Sequence, residues 1–356
     1  MIIYLATIVA TILLQLFRAA LDATEGRPRR ISMVQRGIDC ACIVVLAAAP
    51  GFRAWHVGTD TVMYVAMYNI TIDSSSWSNT LQQAIVEPGY ALWEFIWKSF
   101  GLSTHWFLAI TALVTNGLQY EAIRMISPKM LPAISAYAVS GLYLFQFNGM
   151  RQAMAISIFV FGVALILRGH RFGWVFLLTA ALIHSSTLIV LPAFILSRRF
   201  QQRNTFNIRI VLLSGGVFLA LLLISTALAT FLTDLVGDKY GSYLDQNMGS
   251  GRGRLIHLAL MLMVVWFLQS TELPNELRCA TRFYSLGLGA QVVGLQLAVL
   301  DRVTLYFVAS LPMFICFLLA HGSRARHIVL WLGIITYFFI SLTHYGDLIP
   351  YEWTLS

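Results

Sequence analysis

The sequence predicts an all-α polytopic membrane protein with about ten to twelve transmembrane helices, a short helical hairpin and interfacial helices on its outer face, from three observations. The 356-residue chain is 58% hydrophobic and only 11% charged, with a mean hydropathy of +0.74. Soluble domains carry roughly 25% charged residues, so this chain has too few to cover a water-facing surface. Apolar runs recur along the whole length, and the basic residues collect in alternate loops, as they do where cytoplasmic loops retain Lys and Arg.

The apolar runs lie at 2–17, 37–51, 104–122, 131–147, 150–167, 172–197, 208–231, 255–270, 283–300, 303–320 and 328–343. No small-residue cleavage site closes the first, so it reads as a retained helix. The run 172–197 is bracketed by Arg168/Arg171 and by Arg198/Arg199/Arg203. If both brackets are cytoplasmic, it must be a hairpin of two short helices with its apex at His184-Ser185-Ser186. With that hairpin and an external N-terminus, 17 of the 24 Lys and Arg residues fall on the cytoplasmic side. A single crossing would put the later basic loops on the wrong side.

The chain therefore reads as one integral membrane domain, 1–356, with no soluble catalytic domain. Two outer segments are long enough to have structure of their own. In 52–103 and just beyond it, Trp55, Trp77, Trp93, Trp97 and Trp106 suggest helices lying among the headgroups. The second, 233–254, ends in a flexible stretch from Gly249 to Arg254. The formal charge of +8 reports orientation, not nucleic-acid binding. Cys40 and Cys42 in the second span, Cys279 in a loop and Cys316 in a late span have no metal-like or disulfide-like spacing.

Positive-inside bias makes an outer arginine informative. The outer side keeps Arg53, Lys98, Arg151, Lys239, Arg252, Arg254 and Arg302. Arg53 follows the second span, Arg151 opens the fifth and Arg302 opens the tenth. A helix N-terminus offers free N–H groups and partial positive charge, and the planar fork of arginine suits phosphate oxygens. Gln152 adds a neutral donor. The plainer reading is that such arginines snorkel to lipid headgroups or pair with acids.

Asp60, Tyr64 and Tyr68 share one helical face by spacing, although Asp60 also suits a simple N-cap. Glu87, Tyr90 and Glu94 share another face, with Lys98 four residues on as a structural partner for Glu94. His184 at the hairpin apex can act as base, as acid or as a hydrogen-bond fixer, or can simply be satisfied by a backbone carbonyl. Asp60, Glu87 and His184 are thus the candidates for catalysis, in no fixed order. Arg53, Arg151, Gln152, Arg302, Tyr64 and Tyr306 are those for binding substrate.

Taken in order, these pieces resemble the EpsG family of exopolysaccharide polymerases, which are Wzy-like. The matching stretches are Arg53 with Gly58-Thr59-Asp60-Thr61 and Tyr64, then Glu87-Pro88-Gly89-Tyr90 and Asn148-Gly149-Met150-Arg151-Gln152. After them come His184-Ser185-Ser186, Arg302 with Tyr306-Phe307, and the terminal Pro350-Tyr351-Glu352. Within 200–280 nothing matches.

The resemblance implies a multi-pass glycosyltransferase of the bacterial cytoplasmic membrane with its site on the exterior. Donor and acceptor would be oligosaccharides carried on polyprenyl diphosphate, and other polysaccharide-assembly proteins would be its partners. No cofactor is implied. No Asp-x-Asp pair occurs among these stretches, which favours a metal-independent site. The main alternative is a transporter or flippase of lipid-linked sugars, and the second is a different membrane glycosyltransferase or ligase using the same lipid donor. Alternating access needs polar groups through both halves of the membrane, and the inner halves of the spans carry few.

Overall fold

The computed structural model describes residues 1–24, 32–71, 75–199, 251–268, 273–295, 298–321, 323–344 and 346–354, with the isolated positions 216 and 220. Apart from those two positions, the run 208–231 lies outside them, as do residues 233–250 of the second long segment. The described residues are helical apart from turns and a single bridge between Arg53 and Trp353. The protein is an all-α, multi-pass membrane protein.

The N-terminal half contains α1 (Ile2–Thr24), α2 (Met33–Gly51), α3 (Thr61–Ala66, running into a π turn at Met67–Thr71) and α4 (Trp77–Gln83). Next come α5 (Pro88–Ser99), α6 (Thr104–Ile126), α7 (Met130–Val139), α8 (Leu142–Phe145), α9 (Met150–Leu167), α10 (Gly173–Ile183) and α11 (Thr187–Arg199). The remainder forms α12 (Gly251–Leu268), α13 (Asn275–Gly294), α14 (Ala298–Val308), α15 (Leu311–Ala320) and α16 (Arg324–His344). Local chemistry sets several of these limits. At the start of α2, Ser32 Oγ accepts from Gln35 N while Gln35 Oε1 accepts from Ser32 N, a reciprocal cap. Pro88 opens α5, where its missing N–H is not needed.

Four described helices, at Ile2–Ala23, Met33–Gly51, Met150–Leu167 and Arg324–His344, are long and apolar enough to cross a membrane alone. The pair Arg302–Val308 and Leu311–Ala320, bent by 48°, makes a fifth span if counted as one. The remaining described runs are shorter, broken or more polar helices. The run 131–147 breaks at Ser140-Gly141, where Gly141 takes φ 84°. Helix α6 is long enough, but buries a polar stripe of Thr111, Thr115, Asn116 and Gln119. Asn116 uses that stripe to donate to Gln146 Oε1 at 2.8 Å and to accept from Tyr137 at 2.9 Å.

The run 172–197 is two helices, separated at His184-Ser185-Ser186. They fold back on one another. Arg198 at the end of α11 lies 5.8 Å from the ring of Trp174 at the start of α10, and Phe194 lies 6.2 Å from the same ring.

Three details depart from the sequence expectation. Cys279 is buried inside α13, not in a loop. Residues 251–254, expected to be a flexible tail of the second outer segment, form the first turn of α12. The far ends of α1, α2 and α6 also hold polar groups where few were expected. There Arg18 Nε pairs with Asp39 at 2.8 Å and the Tyr120 hydroxyl donates to the same carboxylate at 2.5 Å.

Helix α6 packs on α2 and α9, and α10 packs on α9. At one end of this bundle the last residues form a clasp. Tyr4 donates to Leu348 O at 2.7 Å, Ala54 N to Glu352 O at 2.9 Å and Thr354 N to Phe52 O at 3.0 Å. The clasp holds the loop 52–60, which leads into the site.

Candidate active site

The site forms where the start of α5, the start of α9 and the apex between α10 and α11 converge. Gly89 allows the approach: a Cβ there would lie 2.7 Å from Leu182 O, so only glycine lets α5 sit against the end of α10. This contact brings Glu87, the residue before α5, face to face with the apex.

Glu87 is the hub. Its Oε2 lies 3.0 Å from Arg151 NH1, while its Oε1 lies 3.2 Å from His184 Nδ1. Ser185 donates to Oε1 twice, from its backbone N at 2.8 Å and from its Oγ at 2.9 Å. The three side chains are 19–21% exposed, shielded but reachable. Burial alone would push the Glu87 carboxyl up. The His184 and Ser185 contacts and the Arg151 charge outweigh burial and hold it far below the usual carboxylate range. Glu87 is thus a fixed anion and a poor base. What it can do is orient. With Nδ1 turned to the carboxylate, His184 keeps Nε2 as the ring nitrogen free to take a proton. Among the described residues, the His184 ring makes no hydrogen bond to a backbone carbonyl, the plainer role weighed for it.

Arg151 is the second residue of α9, near that helix's free amides. Its guanidinium also lies 6.0 Å from the centre of the buried Tyr90 ring, and its Nε has no hydrogen-bond partner among the described residues. Gln152 Nε2 donates to the backbone carbonyl of Arg302 at 3.0 Å. That bond ties the two arginine-bearing helices together and uses the amide donor expected to serve a ligand. Arg302 is the fifth residue of α14, not its first, so the free amides of that helix lie a turn away from it. Its side chain is half-buried, and no hydrogen bond or ion pair to it occurs among the described residues.

Tyr306, one turn further along α14, meets the apex through Thr187 Oγ1 at 2.9 Å and Ser186 Oγ at 3.2 Å. Tyr64 is buried beside Tyr90 at 6.3 Å, with its phenol within reach of the charges of Arg151, Asp60 and Arg302. Asp60 stands at the N-cap position of α3 but makes no side-chain cap bond; its carboxylate accepts only from Thr59 Oγ1 at 3.3 Å among the described residues. The capping role is therefore corrected.

Two expectations change more sharply. Arg53 is 1% exposed and its donors are engaged inside the protein: Nε to Thr61 Oγ1 at 2.9 Å, NH1 to Pro50 O, and NH2 to Met150 Sδ at 3.8 Å. A guanidinium so enclosed positions the loop and does not present itself to substrate. Glu94 does not pair with Lys98, whose ammonium lies 4.9 Å from the Tyr68 ring centre. Sequence reading also missed Tyr90 as a partner of Arg151 and Ser185 as a donor to Glu87, although both stood in quoted stretches. Among the described residues, no group of three or more His, Cys, Asp or Glu is placed to hold a metal ion.

A half-buried arginine–carboxylate–imidazole chain on a multi-pass helical membrane scaffold defines the class: an integral membrane protein with a charged cluster where three helix ends meet. The chain belongs to the EpsG family, whose model matches residues 38–353. That is an exopolysaccharide polymerase family, and Wzy-like describes it more broadly. No curated protein and no solved structure matches the chain.

Proposed function

We propose that this protein is a glycosyltransferase that joins polyprenyl-diphosphate-linked glycan repeats at the outer face of the bacterial cytoplasmic membrane. The observation that carries the reading is the Glu87 carboxylate shared between Arg151 at 3.0 Å and His184 at 3.2 Å. One side of this chain suits a diphosphate, and the other suits a hydroxyl.

In the reaction, a hydroxyl of the acceptor repeat attacks C1 of the donor sugar. The C1–O bond to the diphosphate breaks, and the electron pair leaves with the polyprenyl diphosphate. The hydroxyl proton passes to His184 Nε2, held in reach by Glu87 through Nδ1. Negative charge growing on the diphosphate is met by Arg151 and Arg302, fixed cations that need no reorganisation at that moment. Gln152 keeps α9 and α14 in register so that both arginines serve one site. Tyr306 holds the apex that carries His184, and Tyr64 and Asp60 line the approach beside Arg151. Other polysaccharide-assembly proteins would act alongside it.

A flippase reading would draw on the Arg18–Asp39–Tyr120 cluster at the opposite ends of the helices. Those groups face one another, joining α1, α2 and α6, and thus suit a clamp better than a path. The test is the lipid-linked glycan that accumulates in a deletion strain. Single repeats exposed on the outer leaflet are expected. Single repeats confined to the inner leaflet would replace this reading with transport.

A further inference from the structure

Two turns along α5 from Glu87, on the same face, lies Glu94, 1% exposed. Neither of its carboxyl oxygens has a hydrogen-bond partner among the described residues. The groups around it come from several elements. Tyr90, one turn nearer Glu87, is fully buried with its own hydroxyl unpartnered. Tyr68, in the π turn after α3, lies within reach of the charge of Glu94, Tyr64 of α3 packs against Tyr90 at 6.3 Å, and α6 carries His105 in its first turn. Helix α4 carries no titratable group, and His184 at the end of α10 faces Glu87 instead. The opposite charge that reaches Glu94 is that of Arg151, in α9.

A carboxyl enclosed in this way gains little from ionising, because no donor replaces the water it lost. Burial pushes it up to about 8, against the pull of Arg151. Tyr64 and Tyr68 are pushed up to about 12 by their own burial, so neither changes charge in the same range.

We propose that Glu94 is a positioning residue of the anion site and works as an uncharged acid. Neutral, it leaves the charge of Arg151 to Glu87 and to the donor diphosphate. Ionised, it draws that charge to itself and weakens the site. The inference rests on the reading of Arg151 as a diphosphate ligand.

The experiment measures binding of geranyl diphosphate, a short prenyl diphosphate, to full-length protein in nanodiscs by calorimetry. Between about pH 7.5 and about pH 9.5, wild-type affinity should fall about tenfold or more, and that of Glu94→Gln less than about twofold, since glutamine cannot ionise. An equal fall in both proteins would overturn the role of Glu94, while the diphosphate reading would stand if Arg151→Ala had lost binding. Unchanged binding by Arg151→Ala would overturn both. Infrared titration of the wild type gives a second readout that needs no variant to fold. A protonated-carboxyl band at neutral pH that fades through about 8 is expected. Its absence at neutral pH would sink the proposal.

Discussion

Arg53 follows α2 and Arg151 opens α9, and their guanidinium groups meet different company. Around Arg53 the acceptors are the protein's own: Pro50 O, Thr61 Oγ1 and the thioether of Met150, with the Phe147 ring 5.8 Å away. The loop beyond it is held in turn. Gly58, at φ 88°, would place a Cβ 2.4 Å from Phe147 O, and Thr59 N donates to Asn148 Oδ1 at 2.8 Å. Among the described residues, Arg151 pairs with one carboxylate, that of Glu87, beside the Tyr90 ring, and keeps Nε without a hydrogen-bond partner. A cation whose three nitrogens each meet an acceptor inside the protein holds a fold together. One held by a single carboxylate can exchange that partner for a ligand. Membrane side and helix position do not distinguish the two, since both arginines adjoin helix ends.

The largest effect that sharpens this contrast is expected at the partner of Glu87. His184→Ala should reduce polymer formation by about 10²–10⁴ at normal protein levels, the usual contribution of a positioned base. Polymer length on gels, with expression checked by blot, is the measurement. Near-normal polymer would mean that the apex histidine only shapes the hairpin.

Arg151→Ala should cost about 10²–10³ in rate, in the range for losing one fixed donor to developing charge. Arg151→Lys should be nearly as harmful, because an ammonium cannot reproduce the bidentate fork. Full activity in the lysine variant would reduce Arg151 to a point charge.

Arg53 should behave in the opposite way. Arg53→Ala leaves buried acceptors unsatisfied at about 1–3 kcal/mol for each group, so stability should fall first. The yield of monodisperse protein and its melting temperature should drop, while each folded molecule keeps most of its activity. A stable but inactive Arg53→Ala would erase the distinction and return Arg53 to the substrate site.

The smallest effect concerns Glu94 and is read as stability against pH. Its folded-state value is raised above the ordinary 4.5 to about 8. The stabilisation linked to its proton is therefore fully present below about 4.5 and is lost as pH rises through about 8. The melting temperature of wild type relative to Glu94→Gln should decline across that window and level off above it. A constant difference would show that Glu94 is ionised throughout, and Arg151 would then have two anionic neighbours.

The sequence by itself determined that the chain is helical and membrane-embedded, because apolar runs and scarce charges exclude the alternatives before any contact is known. It also determined the break at His184-Ser185-Ser186: two basic brackets on one side leave a hairpin as the way to fit 172–197. It brought out Glu87, Arg151 and His184 as unusual residues. Only tertiary structure decided what each does. Glu87 and His184 are 97 residues apart in the chain, and nothing in local spacing says that one carboxylate faces both an imidazole and a guanidinium. The same holds for Arg53, whose enclosure depends on Met150 from α9 and on a loop clasped by residues 346–354. Glu94 reverses a rule that is sound for exposed helices. An i+4 lysine pairs with a glutamate when both lie in water, but here the glutamate faces the core and Lys98 lies over Tyr68. Helical periodicity and charge are carried by neighbours in sequence. Which donors are engaged, and which remain for a ligand, depends on groups that meet only when the helices pack.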